Sequence, residues 1–243
     1  ISQKEININS GTVVADSGFS LTPSSKLTNN ANLNIKSGWM LPSQAEGQEN
    51  EYINNGTMTL GSATDDVEFL HTKLTNNGLI QGATTDNALS NNDSIITNNA
   101  NGTINMNIAN SPFAYGTITE ADLEAYKAGT LTDADTLAYL NATGISDAIT
   151  AGDIDTANLT ASSFGALVNY GTINGDIGNK YGEIYNLLTL DDDNNIVATG
   201  SITGDIDNRD GYLENYGTIT GNITDNRDGQ ISNAAGATIN GKS

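Results

Sequence analysis

The densest cluster of oxygen ligands in the chain is Asp191-Asp192-Asp193-Asn194-Asn195. Hard cations such as calcium bind through several closely placed oxygens, so Asp191, Asp192 and Asp193 form a candidate calcium site. The match to an EF-hand is partial, because Gly and Glu are wanted where a loop counted from Asp191 has Ile196 and Ile202. The G-G-x-G-x-D calcium repeat is absent as well, and a solvated acidic turn is the competing reading. Two carboxylate pairs, Asp205 with Asp207 and Asp65 with Asp66, have a spacing from which a groove could draw glycosidase-type acid–base chemistry, although acidic solenoids commonly offer such pairs. His71 is the sole histidine, there is no cysteine, and no G-x-S-x-G elbow occurs. A thiolate site, a cysteine nucleophile and a metal shared between histidines are therefore excluded, and catalysis is not expected. N-x-[ST] sequons at Asn55, Asn92, Asn101, Asn141, Asn158 and Asn222 follow from a composition rich in Asn and Thr and carry no assignment.

A second charged motif, DNRDG, occurs twice, at 207–211 and 225–229. Its surroundings align as NRDGYLEN, NRDGQISN and NKYGEIYN, beginning at Asn208, Asn226 and Asn179. Recurrence in one register marks the corner of a structural repeat. Lys180, Arg209 and Arg227 then share one corner position, with Asp210 and Asp228 interleaved as their expected counter-charges, in exposed pairs worth only ~0–1 kcal/mol.

The elements that position these groups repeat along the whole chain. NYGTI at 169–173 and 215–219 and NNGTM at 54–58 are the cleanest copies, and NSGTV at 9–13, NNGLI at 76–80 and NNANL at 29–33 are close variants. The copies starting at Asn98 and Asn233 carry two extra residues at the turn, and AYGTI at 114–118 has Ala114 in place of Asn. Self-similarity at roughly twenty residues is the signature of a solenoid. Within a repeat, segments such as ITGDI at 202–206 place apolar residues at a two-residue period with β-branched Thr between them, which predicts short strands. The Asn-x-Gly before each strand is turn chemistry. Equivalent Asn side chains at ~4.8 Å intervals can bond one another up the axis, which predicts a ladder of Asn29, Asn54, Asn76, Asn98, Asn169, Asn186, Asn215 and Asn233. The fold class expected is all-β, a parallel β-helix of about ten short coils.

Two segments interrupt the repeat. TEADLEAYKAG and TDADTLAYLNATG each open with Thr and an acidic residue three positions later, and Leu123, Tyr126, Leu137 and Leu140 keep helical spacing. An acidic helical insertion over 119–165 is expected between solenoid segments 1–118 and 166–243. A β-hairpin is expected over 187–200, with the acidic cluster at its tip.

Acidic residues number 29 against 9 basic, for a net charge of −20. Such a surface repels phosphate backbones and anionic lipids, so a nucleic-acid partner is not expected. No apolar run approaches the ~20 residues of a membrane span. The start at Ile1 without Met reads as an exported, processed chain.

The repeated N-x-G-T-I-x-G-x-I, in coils of about twenty residues without cysteine, resembles the right-handed parallel β-helix passengers of bacterial autotransporters and haemagglutinin-like surface proteins. The resemblance spans most of the chain outside 119–165. It implies export, an extracellular or cell-surface location, and adhesive or scaffold work. The function expected is that of a non-enzymatic β-solenoid, a surface fibre or adhesin component whose copies join head to tail through terminal strand edges into filaments. The alternatives are a monomeric adhesin passenger that binds a cell-surface or glycan ligand, and a carbohydrate-active β-helix enzyme. No cofactor beyond calcium and no membrane insertion are expected.

Overall fold

The structure, a computed structural model, describes residues 5–17, 25–40, 50–70, 72–92, 94–111, 125, 128–130, 132 and 165–241. Three parallel sheets run along one axis, with nine, nine and seven strands, and a separate two-stranded antiparallel hairpin lies outside them. Successive strands of the chain fall in successive sheets. Ile95–Asn98 lies in the first sheet, Thr103–Asn105 in the second and Asn107–Ser111 in the third, after which Ala166–Asn169 returns to the first. This is a parallel β-helix, and the first sheet counts nine coils.

Why these residues make strands is visible in the register. In the first sheet Leu27, Tyr52, Leu74, Ile96, Leu167, Ile184 and Leu213 occupy one column, and all are buried. In the second sheet Leu33, Met58, Ile80, Ile104, Ile173, Ile202 and Ile219 form a matching column, each fully buried. Val67, Leu89, Ile108, Ile177, Ile206 and Ile223 supply the third sheet. Each coil thus points about one large aliphatic side chain per sheet inward, each worth ~1.5–3 kcal/mol on burial. Backbone donors find acceptors one coil away, as in Tyr170 N–H to the Asn98 carbonyl at 2.8 Å and Tyr216 N–H to Asn186 at 2.7 Å. Stacking this close leaves no room for a Cβ at the first corner: one on Gly171 would collide with the carbonyls of Gly102 and Asn99.

One expectation of register is corrected. Asn9 does not join the buried Asn column, because Ile8 pairs with Asn29 while Asn9 accepts from the Asn30 amide on the exposed side. The first coil therefore starts the column with an aliphatic residue. Ile95–Asn98 pairs directly with Ala166–Asn169, and among the described residues the first sheet counts nine strands, in keeping with about ten coils. The AYGTI copy, most of the 119–165 insertion and His71 lie outside the described residues. Either side of the AYGTI copy and the insertion, the third-sheet strand ends at Ser111 and the first-sheet strand Ala166–Asn169 follows Gly165, whose carbonyl accepts from Asn110 Nδ2 at 3.0 Å. Leu188–Leu190 and Ile196–Thr199 pair antiparallel as the hairpin, inserted at the first corner between Asn186 and Ser201. Among the described residues, no helix is long and apolar enough to cross a membrane.

Candidate functional site

The polar chemistry of the solenoid is concentrated at its corners. At the first corner, Asn29, Asn54, Asn76, Asn98, Asn169, Asn186, Asn215 and Asn233 stand in one register column, and the first seven are fully buried. Each Nδ2 donates to the Oδ1 of the next coil's Asn, at 2.8 Å from Asn29 through Asn169 and at 2.7 Å for the last two steps. The second Nδ2 proton is shared between nearby carbonyls, such as Gly102 at 3.2 Å and Thr172 at 3.1 Å from Asn98. In several coils Oδ1 also accepts from the N–H two residues on, as in Gly171 to Asn169 at 3.2 Å, which caps the turn. A column of buried amides is thereby satisfied on both sides, so it costs no unpaired polar group.

A second ladder, buried from Asn91 to Asn208 and exposed at Asn226, lies at the corner where the third sheet passes to the next coil. Asn91, Asn110, Asn179, Asn208 and Asn226 bond in sequence at 2.6, 2.8, 2.7 and 2.8 Å. Its signal was the Asn that opens each NRDG or NKYG corner. The ladder stops at Asn91 because Phe69 occupies the equivalent place one coil earlier, and Asn91 Oδ1 is left buried without a hydrogen bond.

The charged corner holds a carboxylate shared between two coils. Both guanidiniums reach Asp225, Arg209 at 3.1 Å and Arg227 at 3.2 Å, so they share the first carboxylate of the second DNRDG copy. Asp225 also accepts from the Arg227 N–H at 3.0 Å, and these contacts hold its carboxyl below the usual range. Asp210 and Asp228 take the left-handed conformation at φ of 53° and 56°, as Tyr181 does at 57°, which makes the third corner residue a backbone requirement of the turn. Lys180 is exposed at the same corner of an earlier coil.

At the hairpin tip, Asp191 Oδ1 accepts from the N–H groups of Asp193 at 3.0 Å and Asn195 at 2.8 Å. Asn195 Nδ2 also reaches Asp191 Oδ2 at 3.0 Å, and these bonds hold the Asp191 carboxyl below its ordinary value. Asp191 is the clasp of the turn. Among the described residues no three acidic or histidine side chains come together as a metal-ligand set, and Asp192 and Asp193 do not join Asp191 in one. The paired carboxylates are likewise turn groups: Asp205 Oδ1 accepts from the Asn222 N–H at 2.7 Å, Asp66 from the Ala88 N–H at 2.9 Å, and Asp65 from Thr64 at 2.7 Å. Asp207 lies on the third-sheet strand Ile206–Asp207. Of the sequons, Asn92 is buried, Asn55 and Asn101 are exposed, and Asn141 and Asn158 lie outside the described residues.

The alternation rule gave no sign of one pair on the first sheet. Glu183 and Tyr185 point away from the core beside inward Ile184, yet Glu183 is 2 % exposed and Tyr185 fully buried. Tyr185 donates to Glu183 Oε2 at 2.8 Å, while Oε1 has no hydrogen bond. Burial raises the Glu183 carboxyl to about 7 against the pull of that hydrogen bond, and burial followed by the facing carboxylate raises the Tyr185 phenol. A shallow open depression of about 600 Å³ flanks the hairpin, lined in part by Asn77, Asn99, Asn101, Tyr170, Leu188 and Leu190. Neither a protein-family model, nor a curated protein, nor a solved structure matches this chain.

Proposed function

We propose that this chain is an extracellular, non-enzymatic structural solenoid, a component of a surface fibre or adhesin whose copies stack head to tail along the coil axis. The observation that carries the reading is the parallel ladder itself, whose register and buried columns repeat from coil to coil, so that a coil of another copy can continue them. Among the described residues, Glu5–Ile8 and Gln230–Asn233 each have a neighbour on one side only in the first sheet, and Thr12–Ala15 and Thr238–Asn240 likewise in the second. Core columns surface there: Val13 is 36 % and Ile231 37 % exposed, whereas their counterparts in internal coils are buried. Open strand edges with apolar ends are templates for pairing. Stacking Gln230–Asn233 on Glu5–Ile8 of another copy continues both the backbone ladder and the column of Ile231 over Ile6. The contact joins two different surfaces, so it does not close and yields filaments without a fixed subunit number. It also brings together subunits of net charge −20, whose repulsion salt screens.

Sedimentation velocity across protein concentration and ionic strength tests the reading. The expected result is monomer at low salt and a broadening series of elongated species as salt is raised. A single monomeric species throughout would replace it with the isolated adhesin passenger, and turnover of a polysaccharide would replace it with the enzyme.

A further inference from the structure

The outer face of the second sheet differs from the rest of the surface. Its outward side chains form two columns running through nine strands without a register shift, for example Thr57, Thr103 and Thr172 in one and Thr59, Asn105 and Thr203 in the other. Neither column contains a charged residue, in a protein with 38 charged side chains, 29 acidic and 9 basic. By contrast, the matching column of the first sheet begins Glu5, Lys26, Glu51, Lys73, and Lys26 pairs with Glu51 at 3.2 Å. None of the outward residues of the second sheet is buried. The face is a neutral, half-exposed to exposed lattice of hydroxyls and amides, with Val14 and Leu79 as its two aliphatic members, repeating at ~4.8 Å along the axis and ~6.6 Å along each strand.

Several partners are excluded by these properties. An anionic polymer is repelled by the −20 charge, and a cationic one finds no carboxylate on the face. A second copy packed face to face would bury about 400 Å² on each side, half of the ~800 Å² per partner of a stable protein interface. No aromatic ring lies in either column, so single sugar rings are not held by stacking. What remains is a long, uncharged ligand that makes one weak polar contact per coil, many times over. The coil spacing is close to the advance of one pyranose unit in an extended β-linked chain. Thr hydroxyls are held by a stiff χ1, while Gln81 donates to Thr59 at 3.3 Å and Asn174 to Asn105 at 2.7 Å, a mixture of hydroxyls and amides that suits the varied hydroxyl directions of sugars better than a uniform ice lattice.

We propose that the outer face of the second sheet binds an extended, uncharged polysaccharide lying along the solenoid axis, one sugar residue to each coil. The proposal deepens the adhesin reading above by naming its ligand class and the surface that takes it. Head-to-tail stacking would extend the same face across subunits, and affinity would grow with the number of coils engaged.

The test uses the full chain over surface-immobilised neutral β-linked glycans, namely glucan, xylan, mannan and N-acetylglucosamine chains, from disaccharide to beyond nine units. At low salt, where the proposed stacking leaves the chain monomeric, the expected result is binding to at least one series that strengthens with chain length and levels off near nine units, the number of described strands in the face. Thr172→Lys and Thr203→Lys together should weaken binding at least tenfold with the melting temperature kept. Thr75→Lys on the first sheet should leave it unchanged. The proposal is overturned by no binding to any series, by binding without length dependence, or by binding that survives the second-sheet variants. Inhibition of ice growth that is lost in those variants would reassign the face to ice. Because the variants leave both coil ends intact, salt-dependent assembly is read separately, and loss of glycan binding with assembly retained overturns this inference alone.

Discussion

Replacing Asn169 by Ala removes one rung of the first-corner ladder, and its cost can be worked from the groups left behind. Asn98 Nδ2, which donated to Asn169, keeps the carbonyls of Gly102 and Thr172 and stays satisfied. Asn186 Oδ1 loses the donor that reached it at 2.8 Å, and the Gly171 N–H loses the Oδ1 that capped it at 3.2 Å. Both groups belong to buried residues, and each orphan costs ~1–3 kcal/mol, so Asn169→Ala should destabilise by about 2–6 kcal/mol. That is a large share of the ~5–15 kcal/mol of a typical domain. Asn169→Asp should cost more at neutral pH, since a carboxylate would face Asn186 Oδ1 and the Ser201 carbonyl. Its burial would raise the folded-state pKa, so the folded state would hold the proton longer than the unfolded one. The extra loss should therefore shrink as pH falls through that raised value. Half-exposed Thr97→Ala on the neighbouring strand serves as the control. Urea melts at several pH values give the comparison, and an Asn169→Ala loss no larger than that of Thr97→Ala, under about 1 kcal/mol, would refute the ladder as a source of stability.

Three further outcomes follow from particular positions. Ile219→Asp puts an unpaired charge between stacked coils and should unfold the C-terminal coils, whereas exposed Thr220→Asp should shift the melting temperature little; equal small shifts would reject the register. Glu183 has its folded pKa raised to about 7 from 4.5, so as pH climbs through that window the unfolded state releases its proton first and stability falls. The loss should be on the order of 3 kcal/mol, and Glu183→Gln should abolish this part of the slope in pH-dependent melts; an unchanged slope contradicts the burial of the carboxyl. Ile8 interrupts the amide column at the coil end, so Ile8→Asn should let Asn233 of one copy donate across the stacked junction and lower the concentration at which filaments form, measured by light scattering; no change would argue against that junction.

The coil was legible because stacking forces chemically equivalent residues into equivalent places: Asn, Gly and inward Ile recur wherever backbones approach within one strand spacing. Register at the chain's edge was not legible, since NSGTV places an Asn at 9 while the buried place belongs to Ile8. The AYGTI copy lies outside the described residues, and the direct pairing of Ile95–Asn98 with Ala166–Asn169 is a neighbour relation that local pattern does not report. Arg209 and Arg227 both reach Asp225, the first residue of the second DNRDG copy and the last of its strand, a contact between coils that alignment of the two copies does not show. Glu183 and Tyr185 alternate as surface residues should, and sequence periodicity reports direction from the core without reporting cover.

Electron microscopy of the chain at high concentration and salt tests most directly whether it works as a stacking rod. The account predicts unbranched filaments one solenoid wide, with a strand repeat of ~4.8 Å along the axis and a subunit repeat on the order of 40 Å. Separate particles of single-chain length under every condition, with the strand repeat confined to each particle, would contradict it.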